Sequence, residues 1–387
     1  MAALDVRGSI RVPRASLAWP STSTERPTRS SFTPHFLPAS PSFPTSPTSP
    51  TSPTSRLFAL LALLLGISLH AQDIHFSQFF NAPYAQSPAN IGQFDGQYRL
   101  GAIYRQQWRS VTVPYSTFGM GGDAAGVAGV EGLGVGAWLY NDRAGTSRLN
   151  TFHADLGASW GLALDAGKTD RIILGVQAGY SHAAIDYGAL RFDAQYNGFS
   201  YDPTLGTGEE FPRTSRSRAD LHAGIGFRHA PAKRRNFTAG LALFNLTTPD
   251  VSLFEGEPSP LDMRGVVHAG GQFPVGERVD LMPRLQGQSQ GKFRELDLGM
   301  VLRYIMLDQW GLVRALQGGL FMRAKDAGYL YAGLEHDDWT IGISYDINLS
   351  RLEPASRNRG GIEVTAIRVF RKRPPVPVRY KACPDQL

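Results

Sequence analysis

The chain has 387 residues, 42% hydrophobic content, a formal net charge of +6 and one cysteine, Cys383. Its length allows a large core, and a single cysteine excludes an internal disulfide framework, so Cys383 is predicted to be a spectator or an intermolecular thiol. The first 55 residues are considered separately, because they repeat a Thr-Ser-Pro triplet and show little apolar periodicity. They are predicted to form a disordered leader, either translated or a start-site artefact.

A short apolar run follows this leader. Arg56 precedes the run Leu57 to Leu69, which ends in Ser-Leu-His-Ala before Gln72. The run is shorter than the roughly 20 residues of a spanning helix. One positive charge, an apolar stretch and a small terminal residue instead predict a secretory signal over residues 56–71, with cleavage after Ala71. The mature chain is therefore expected to begin at Gln72, outside the cytoplasm.

Residues 72–96 form a lead segment of unusual composition. Its centre reads QFFNAPYAQSPANIG, from Gln78 to Gly92. The stretch is too aromatic for a linker, and its Pro and Asn residues disfavour both helix and strand.

From residue 97 to residue 370 the dominant pattern is an alternation of period two. In the stretch WTIGISYDINLS the apolar residues Trp339 to Leu349 alternate with polar or small residues, which indicates a strand with one apolar and one wet face. The same pattern predicts fourteen strands, near residues 97–106, 115–124, 132–140, 151–162, 171–182, 218–229, 236–246, 264–273, 278–287, 294–305, 310–323, 327–335, 339–349 and 361–370.

The gaps between these strands indicate how the chain crosses a membrane. The long gaps, at residues 183–217, 247–263 and 350–360, all follow odd-numbered strands, whereas the gaps after even-numbered strands are short. Transmembrane barrels have short periplasmic turns and longer outer loops. The fold class is therefore an all-β transmembrane antiparallel barrel of about 14 strands, with both termini in the periplasm. The basic, proline-rich tail 371–387 cannot continue the sheet.

Several ordered motifs make the mature chain similar to the PorP/SprF family of outer-membrane proteins of the type IX secretion system. The likeness spans nearly all of residues 72–387, and it rests on the stretches QDIHFSQFFNAPYAQSPANIG, GAIYRQQW, GLGVGAWLYNDRAG, QYNGFSYDPTLGTGEEF and SYDINLS. The resemblance implies a role in delivering or anchoring secreted cargo at the cell surface. It also implies partners among the periplasmic and outer-membrane components of that system.

The resemblance also places the lead segment before the first strand on the periplasmic side. From it we expect Phe76, Phe79, Phe80 and Tyr84 to pack against the barrel mouth or lumen, or the segment to serve only as a tether that covers apolar surface. Whether the lumen is plugged stays open. The residues assigned to partner binding are Phe79, Phe80, Tyr84, Tyr201, Asp202, Glu209, Glu210, Arg371, Lys372 and Arg373.

No catalytic, cofactor or metal site is predicted. His153, His222 and His268 lie on separate strands without local ligand spacing, and are interpreted as polar lumen residues. The acids of the loop YDPTLGTGEEF lack the order of a calcium loop and are taken as solvated or partner-facing. The basic residues, including 233–235 and 371–373, suit either lipid head groups or an acidic partner. A general diffusion porin is the main alternative function, and a barrel hydrolase is a third.

Overall fold

The computed structural model describes residues 73–109, 113–210, 212–254, 256, 258–309, 312–350 and 357–371. The leader, the signal segment, Lys372, Arg373 and Cys383 lie outside these ranges, so the predictions on them stay predictions. Within the described ranges, no helix is both long and apolar enough to cross a membrane.

The described residues form one closed antiparallel barrel of fourteen strands, in which each strand pairs with its neighbours in sequence and β1 pairs with β14. The predicted fold and strand number are confirmed. The strands are β1 (Tyr98–Gln107), β2 (Tyr115–Ala125), β3 (Leu133–Ala144), β4 (Leu149–Ala163), β5 (Asp170–Ala184), β6 (Ser215–Ala232), β7 (Arg235–Phe244), β8 (Arg264–Pro274), β9 (Val279–Gln290), β10 (Phe293–Gln309), β11 (Leu312–Arg323), β12 (Ala327–His336), β13 (Trp339–Asn348) and β14 (Arg359–Phe370).

Among the residues that the structure describes, helical structure is limited to short turns. One α-helical turn, α1, spans Pro83–Gln86, and 3-10 turns span Phe79–Asn81, Pro88–Asn90, Val127–Gly129, Tyr187–Ala189 and Asp193–Gln195.

The alternation of each strand separates an apolar outer face from a polar lumen face, as the sequence predicts. On β13, Ile341 and Ile343 are exposed on the outside of the barrel, whereas Ser344 and Asp346 are buried inside. On β10, Leu302 points outward and Arg303 is buried. Successive side chains of a strand point to opposite faces, so closing the sheet collects the polar residues in the lumen and the apolar ones toward lipid.

The two ends of the barrel differ in the length of their connections. At one end, here called the loop end, the chain between β5 and β6 spans residues 185–214, and that between β7 and β8 spans 245–263. At the other end, the turn end, β1 begins and β14 finishes, and the connections 233–234 and 337–338 are tight turns. Pairing of β1 with β14 closes the ring and satisfies the backbone groups that an open edge would expose to lipid.

Candidate functional site in the barrel lumen

Residues 73–96, here called the lumen segment, run through the interior of the barrel from one end to the other. Asp73 lies at the loop end: its backbone N–H donates to Gln290 at 2.8 Å, and its carboxylate accepts from Asn245 at 2.9 Å. At the turn end, Gln97 directly after the segment donates to the carbonyl of Phe370 at 2.8 Å. Of the two expected positions, the barrel mouth and the lumen, the segment occupies the lumen, where it contacts the wall along its whole length.

The loop-end half of the segment is fixed by charged side chains. The backbone N–H groups of Ser77 and Gln78 donate to the two carboxylate oxygens of Glu363, at 2.9 and 2.6 Å. The Gln78 side chain adds hydrogen bonds with Ser344 at 3.2 Å and Thr365 at 2.7 Å. A buried carboxylate is therefore satisfied by main-chain donors of the segment, which fixes its register against β13 and β14.

Arg105 on β1 joins this anchor to the neighbouring acids. Its guanidinium pairs with Glu363 and with Asp346, both at 3.1 Å, and donates to the Ser77 hydroxyl at 2.6 Å. The Ser77 hydroxyl donates in turn to Asp346 at 2.7 Å and accepts from Arg323 at 3.2 Å. Buried charges are tolerated where they are paired and hydrogen-bonded. The Ser77 hydroxyl adds hydrogen bonds to this cluster that the wall residues do not make among themselves.

The turn-end half is held by the Arg99–Asp123 ion pair, whose buried carboxylate accepts from the N–H of Gly92 at 2.6 Å, and by close packing against glycine. A Cβ added to Gly175 on β5 would overlap the backbone of Pro88, and one added to Gly134 on β3 would lie 2.7 Å from the Cα of Gly92. Gly92 itself has a positive φ of 67°, a conformation that glycine adopts without strain. These strands carry glycine where the segment's backbone touches the wall.

Aromatic rings fill the space between the two halves. Tyr84 stacks on Trp138 with ring centroids 5.5 Å apart, and its hydroxyl donates to Asp123 at 2.9 Å. Phe80 stacks on Phe321 at 5.2 Å, and Phe79 meets the same ring edge-on. These rings cover apolar parts of the lumen wall, and the buried hydroxyl of Tyr84 has a hydrogen-bond acceptor.

The cavities that border the loop-end part of the segment are small. Two cavities that border it, one lined by Ile74 and the other by Asp73, measure about 10 Å³ each. Such a volume corresponds to about one water molecule. The large depressions, of about 840 and 800 Å³, are lined by outward-facing side chains such as Leu241 and Leu285. At the two small cavities the segment packs closely against the lumen wall.

The predicted partner residues divide into three groups. Phe79 and Tyr84 are buried against the lumen wall and Phe80 is half-buried, as expected if the lumen segment packs there. A partner role for these three residues stays a prediction. Tyr201, Asp202, Glu209 and Glu210 lie together in the loop 185–214. Hydrogen bonds from the hydroxyl and N–H of Thr204 hold the pKa of Asp202 below its usual value. At the turn end, Arg371 donates to the carbonyl oxygen of Asp95 at 3.1 Å.

The structure brings together two histidines that the sequence argument kept apart. His153 Nε2 lies 2.9 Å from one oxygen of Asp155, and His222 Nε2 lies 3.3 Å from the other. The strands β4 and β6 are separated by β5. Their side chains can meet across it because β5 carries Gly179 at this position, where a Cβ would lie 2.5 Å from the Asp155 carboxylate. Placement on separate strands therefore does not prevent His153 and His222 from meeting at the same carboxylate.

The side chains of His153, Asp155 and His222 each offer one ligand atom within 4.8 Å of the others, but the bonding of His222 does not suit a metal at its Nε2. The backbone N–H of Asn245 donates to His222 Nδ1 at 3.0 Å, so the proton of a neutral ring sits on Nε2. A metal at Nε2 requires that nitrogen to be free of its proton. His268 is also buried on the lumen side, as predicted.

A serine completes a Ser-His-Asp arrangement in the same place. The Ser181 hydroxyl lies within hydrogen-bonding distance of His153 Nδ1, whose other nitrogen faces Asp155. Hydrolytic triads require a nucleophile that a substrate can reach. Ser181 is 0% exposed, so this geometry gives the barrel no reachable nucleophile.

A family model described as type IX secretion system membrane protein PorP/SprF matches residues 68–366. The chain belongs to the PorP/SprF family. It is thus an outer-membrane component of the type IX secretion system, as the motifs and the barrel suggested. No curated protein matches this PorP/SprF chain.

Solved structures similar to this PorP/SprF barrel are distant. The toluene transporter TbuX of Ralstonia pickettii aligns with a TM-score of 0.43 and 10% identity, over 75% of this chain and 94% of that one. The toluene transporter TodX of P. putida aligns with a TM-score of 0.42 and 13% identity, over 76% and 94%. CdiB from Acinetobacter baumannii gives a TM-score of 0.38 at 7% identity, over 70% and 60%.

Proposed function

We propose that this barrel is a closed scaffold that delivers or anchors particular secreted proteins at the cell surface, and that it does not serve as a diffusion channel. The observation that carries the proposal is the lumen segment, whose backbone is hydrogen-bonded to buried Glu363 at one end of the lumen and packed against Gly175 toward the other. A lumen filled in this way leaves the outer loops as the surface on which a partner can bind.

We further infer the orientation and the class of partners. The long loops 185–214 and 245–263 face the outside and the turn end faces the periplasm, because transmembrane barrels place their longer loops outward. The turn end, with Arg371 and the basic residues that follow it in the sequence, then faces the periplasmic components of the secretion system. In this orientation Asp73 lies at the outer end of the lumen, so the expected periplasmic position holds for the C-terminal tail and not for the start of the lumen segment. The chain binds and positions, and no step of catalysis is assigned to it.

Deleting the gene and comparing surface proteins with small-solute uptake tests this function. We expect one or a few secreted proteins to be lost from the surface, while uptake of small solutes stays nearly unchanged. The opposite result, an unchanged surface proteome with impaired uptake, would support a general diffusion porin instead.

Conductance in planar bilayers tests the closed lumen directly. We expect the intact barrel to conduct at least about tenfold less than a variant in which residues 73–92 are replaced by a Gly-Ser linker, because removing the segment leaves a wide fourteen-strand lumen. Equal conductance of the two proteins would contradict a closed lumen. Both proteins must first be shown to assemble, for which a heat-dependent shift on gel electrophoresis serves as the control.

A further inference from the structure

The loop 185–214 carries a small hairpin at the loop end of the barrel. Tyr196 and Tyr201 form an isolated antiparallel bridge, and the N–H of Asn197 donates to the carbonyl of Ser200 at 3.1 Å. At the base, the N–H of Asp202 donates to the carbonyl of Gln195 at 2.8 Å. The hairpin 196–201 is therefore a defined element within a long loop.

The turn of this hairpin is held by side-chain hydrogen bonds as well. The Asn197 side-chain oxygen accepts from the N–H groups of Phe199 and Ser200, both at 3.0 Å. Gly198 has a φ of 95°, which glycine adopts readily. Asn side chains stabilise turns through such bonds. The backbone that presents Phe199 is thus set before any partner arrives.

The side chains at the tip are aromatic and point into solvent. Phe199 is 95% exposed and Tyr196 is 59% exposed, while Tyr201 lies under the guanidinium of Arg191 at 4.8 Å. One exposed apolar residue is ordinary on a protein surface. Several aromatic residues beside an arginine, on a backbone that is already ordered, match the composition and low ordering cost of binding anchors.

The charge of the loop indicates which partner fits. Residues 185–214 contain five acidic and two basic residues, a net charge of −3. An anionic membrane surface attracts basic segments, so this acidic loop does not suit it. A protein pocket with an apolar floor and a basic rim complements both the exposed rings and the acidic surroundings.

We propose that the hairpin 196–201 is the cargo-binding anchor of this barrel, with Phe199 inserting into an apolar, basic-rimmed pocket on the secreted protein. The inference rests on the proposed function, since it names the element by which a surface protein is held. It predicts that one side chain carries a large part of the affinity, as interface anchors do.

The test compares Phe199→Ala with the gene deletion and with a matched control. Phe254→Ala is the control, because Phe254 is a 54% exposed phenylalanine in the other long loop of the same end. Each variant replaces the chromosomal copy, and its amount in the outer membrane is measured. We expect Phe199→Ala to lower the surface level of the deletion-sensitive proteins about tenfold, and Phe254→Ala to leave it unchanged.

The possible outcomes distinguish a failure of the proposed cargo function from a failure of the hairpin assignment. If the deletion itself leaves the surface proteins in place, the proposed function is wrong. If the deletion removes them and Phe199→Ala does not, the cargo function stands and the hairpin assignment is overturned. An equal loss in Phe199→Ala and Phe254→Ala would also overturn it, because the effect would not be specific to the hairpin.

A third variant distinguishes an apolar pocket from carbohydrate. Phe199→Leu keeps the apolar volume but removes the ring face on which a sugar could stack. A protein pocket predicts that Phe199→Leu keeps most of the surface level. A loss as large as that of Phe199→Ala would contradict the apolar pocket and point to stacking on a glycan.

Discussion

The two halves of the lumen segment share one kind of anchor, a buried carboxylate paired with an arginine, and differ in how closely their backbone packs on the wall. Near the loop end, Ser77 and Gln78 are bound by the charges of Arg105, Glu363 and Asp346, whose positions are specified by hydrogen-bond direction. Near the turn end, the N–H of Gly92 likewise donates to buried Asp123, and the stretch around Pro88 is in addition in direct backbone contact with a wall that carries glycine.

The difference shows what each half can tolerate. A buried ionic cluster is vulnerable to the loss of one partner, because the remaining charges stay buried without compensation. A close-packed contact is vulnerable to added volume, since its neighbours cannot move away. Loss of a buried partner should therefore weaken either half, whereas added volume should act most strongly around Pro88.

The largest effect is expected for Arg105→Met. Removing this guanidinium leaves Glu363 and Asp346 buried with fewer cations, which should cost about 3–5 kcal/mol of stability. Denaturation in urea, followed by the gel shift of the folded barrel, measures the change. Arg148→Met is the matched control, because Arg148 pairs with Asp186 at 3.5 Å with both side chains about half exposed. That exposed pair should contribute no more than about 1 kcal/mol, and equal losses would contradict a special role for the buried cluster.

A smaller effect is expected for Gly175→Leu. A side chain there meets the backbone of Pro88, so overpacking should cost about 1–3 kcal/mol and raise bilayer conductance as the segment is displaced. Gly318→Leu on β11 is the control, since a Cβ at that glycine has no neighbour within 4 Å. Unchanged stability and conductance in Gly175→Leu would show that packing does not hold the turn-end half.

The smallest effect is expected for Tyr84→Phe. This change keeps the ring on Trp138 and removes only the hydroxyl that donates to Asp123 at 2.9 Å. Asp123 keeps Arg99 at 2.6 Å and the N–H of Gly92 at 2.6 Å, so the cost should be about 1–2 kcal/mol. Tyr345→Phe, on the outer face, should be neutral by the same denaturation assay. A loss as large as that of Arg105→Met would contradict the expectation that Arg99 and the N–H of Gly92 keep Asp123 satisfied.

The barrel was predictable from the sequence because its signal is local and repeated. Alternation along each strand distinguishes its inner face from its outer face, as Leu302 and Arg303 illustrate. The number of such strands then indicates a closed barrel. Loop lengths are equally visible, and the long loops after β5 and β7 lie where the gaps placed them.

The course of the lumen segment was not predictable in the same way. Its contacts join residues that are far apart in the chain, such as Ser77 with Glu363. The sequence around either residue gives no indication that it contacts the other. The meeting of His153 with His222 is similar, because it depends on Gly179 in the intervening strand. Composition indicated that the segment would pack on something, but only the three-dimensional pairing of charges shows where.

The path of the lumen segment also constrains the order of assembly. Its first described residue, Asp73, lies at the loop end, yet its last residues lead into β1 at the turn end, so the chain traverses the interior before it builds the wall. β1 and β14 close the ring around that traverse. A segment that tried to enter afterwards would have to thread past the paired arginines and carboxylates. We therefore expect residues 73–96 to be inside the barrel before the seam between β1 and β14 is sealed.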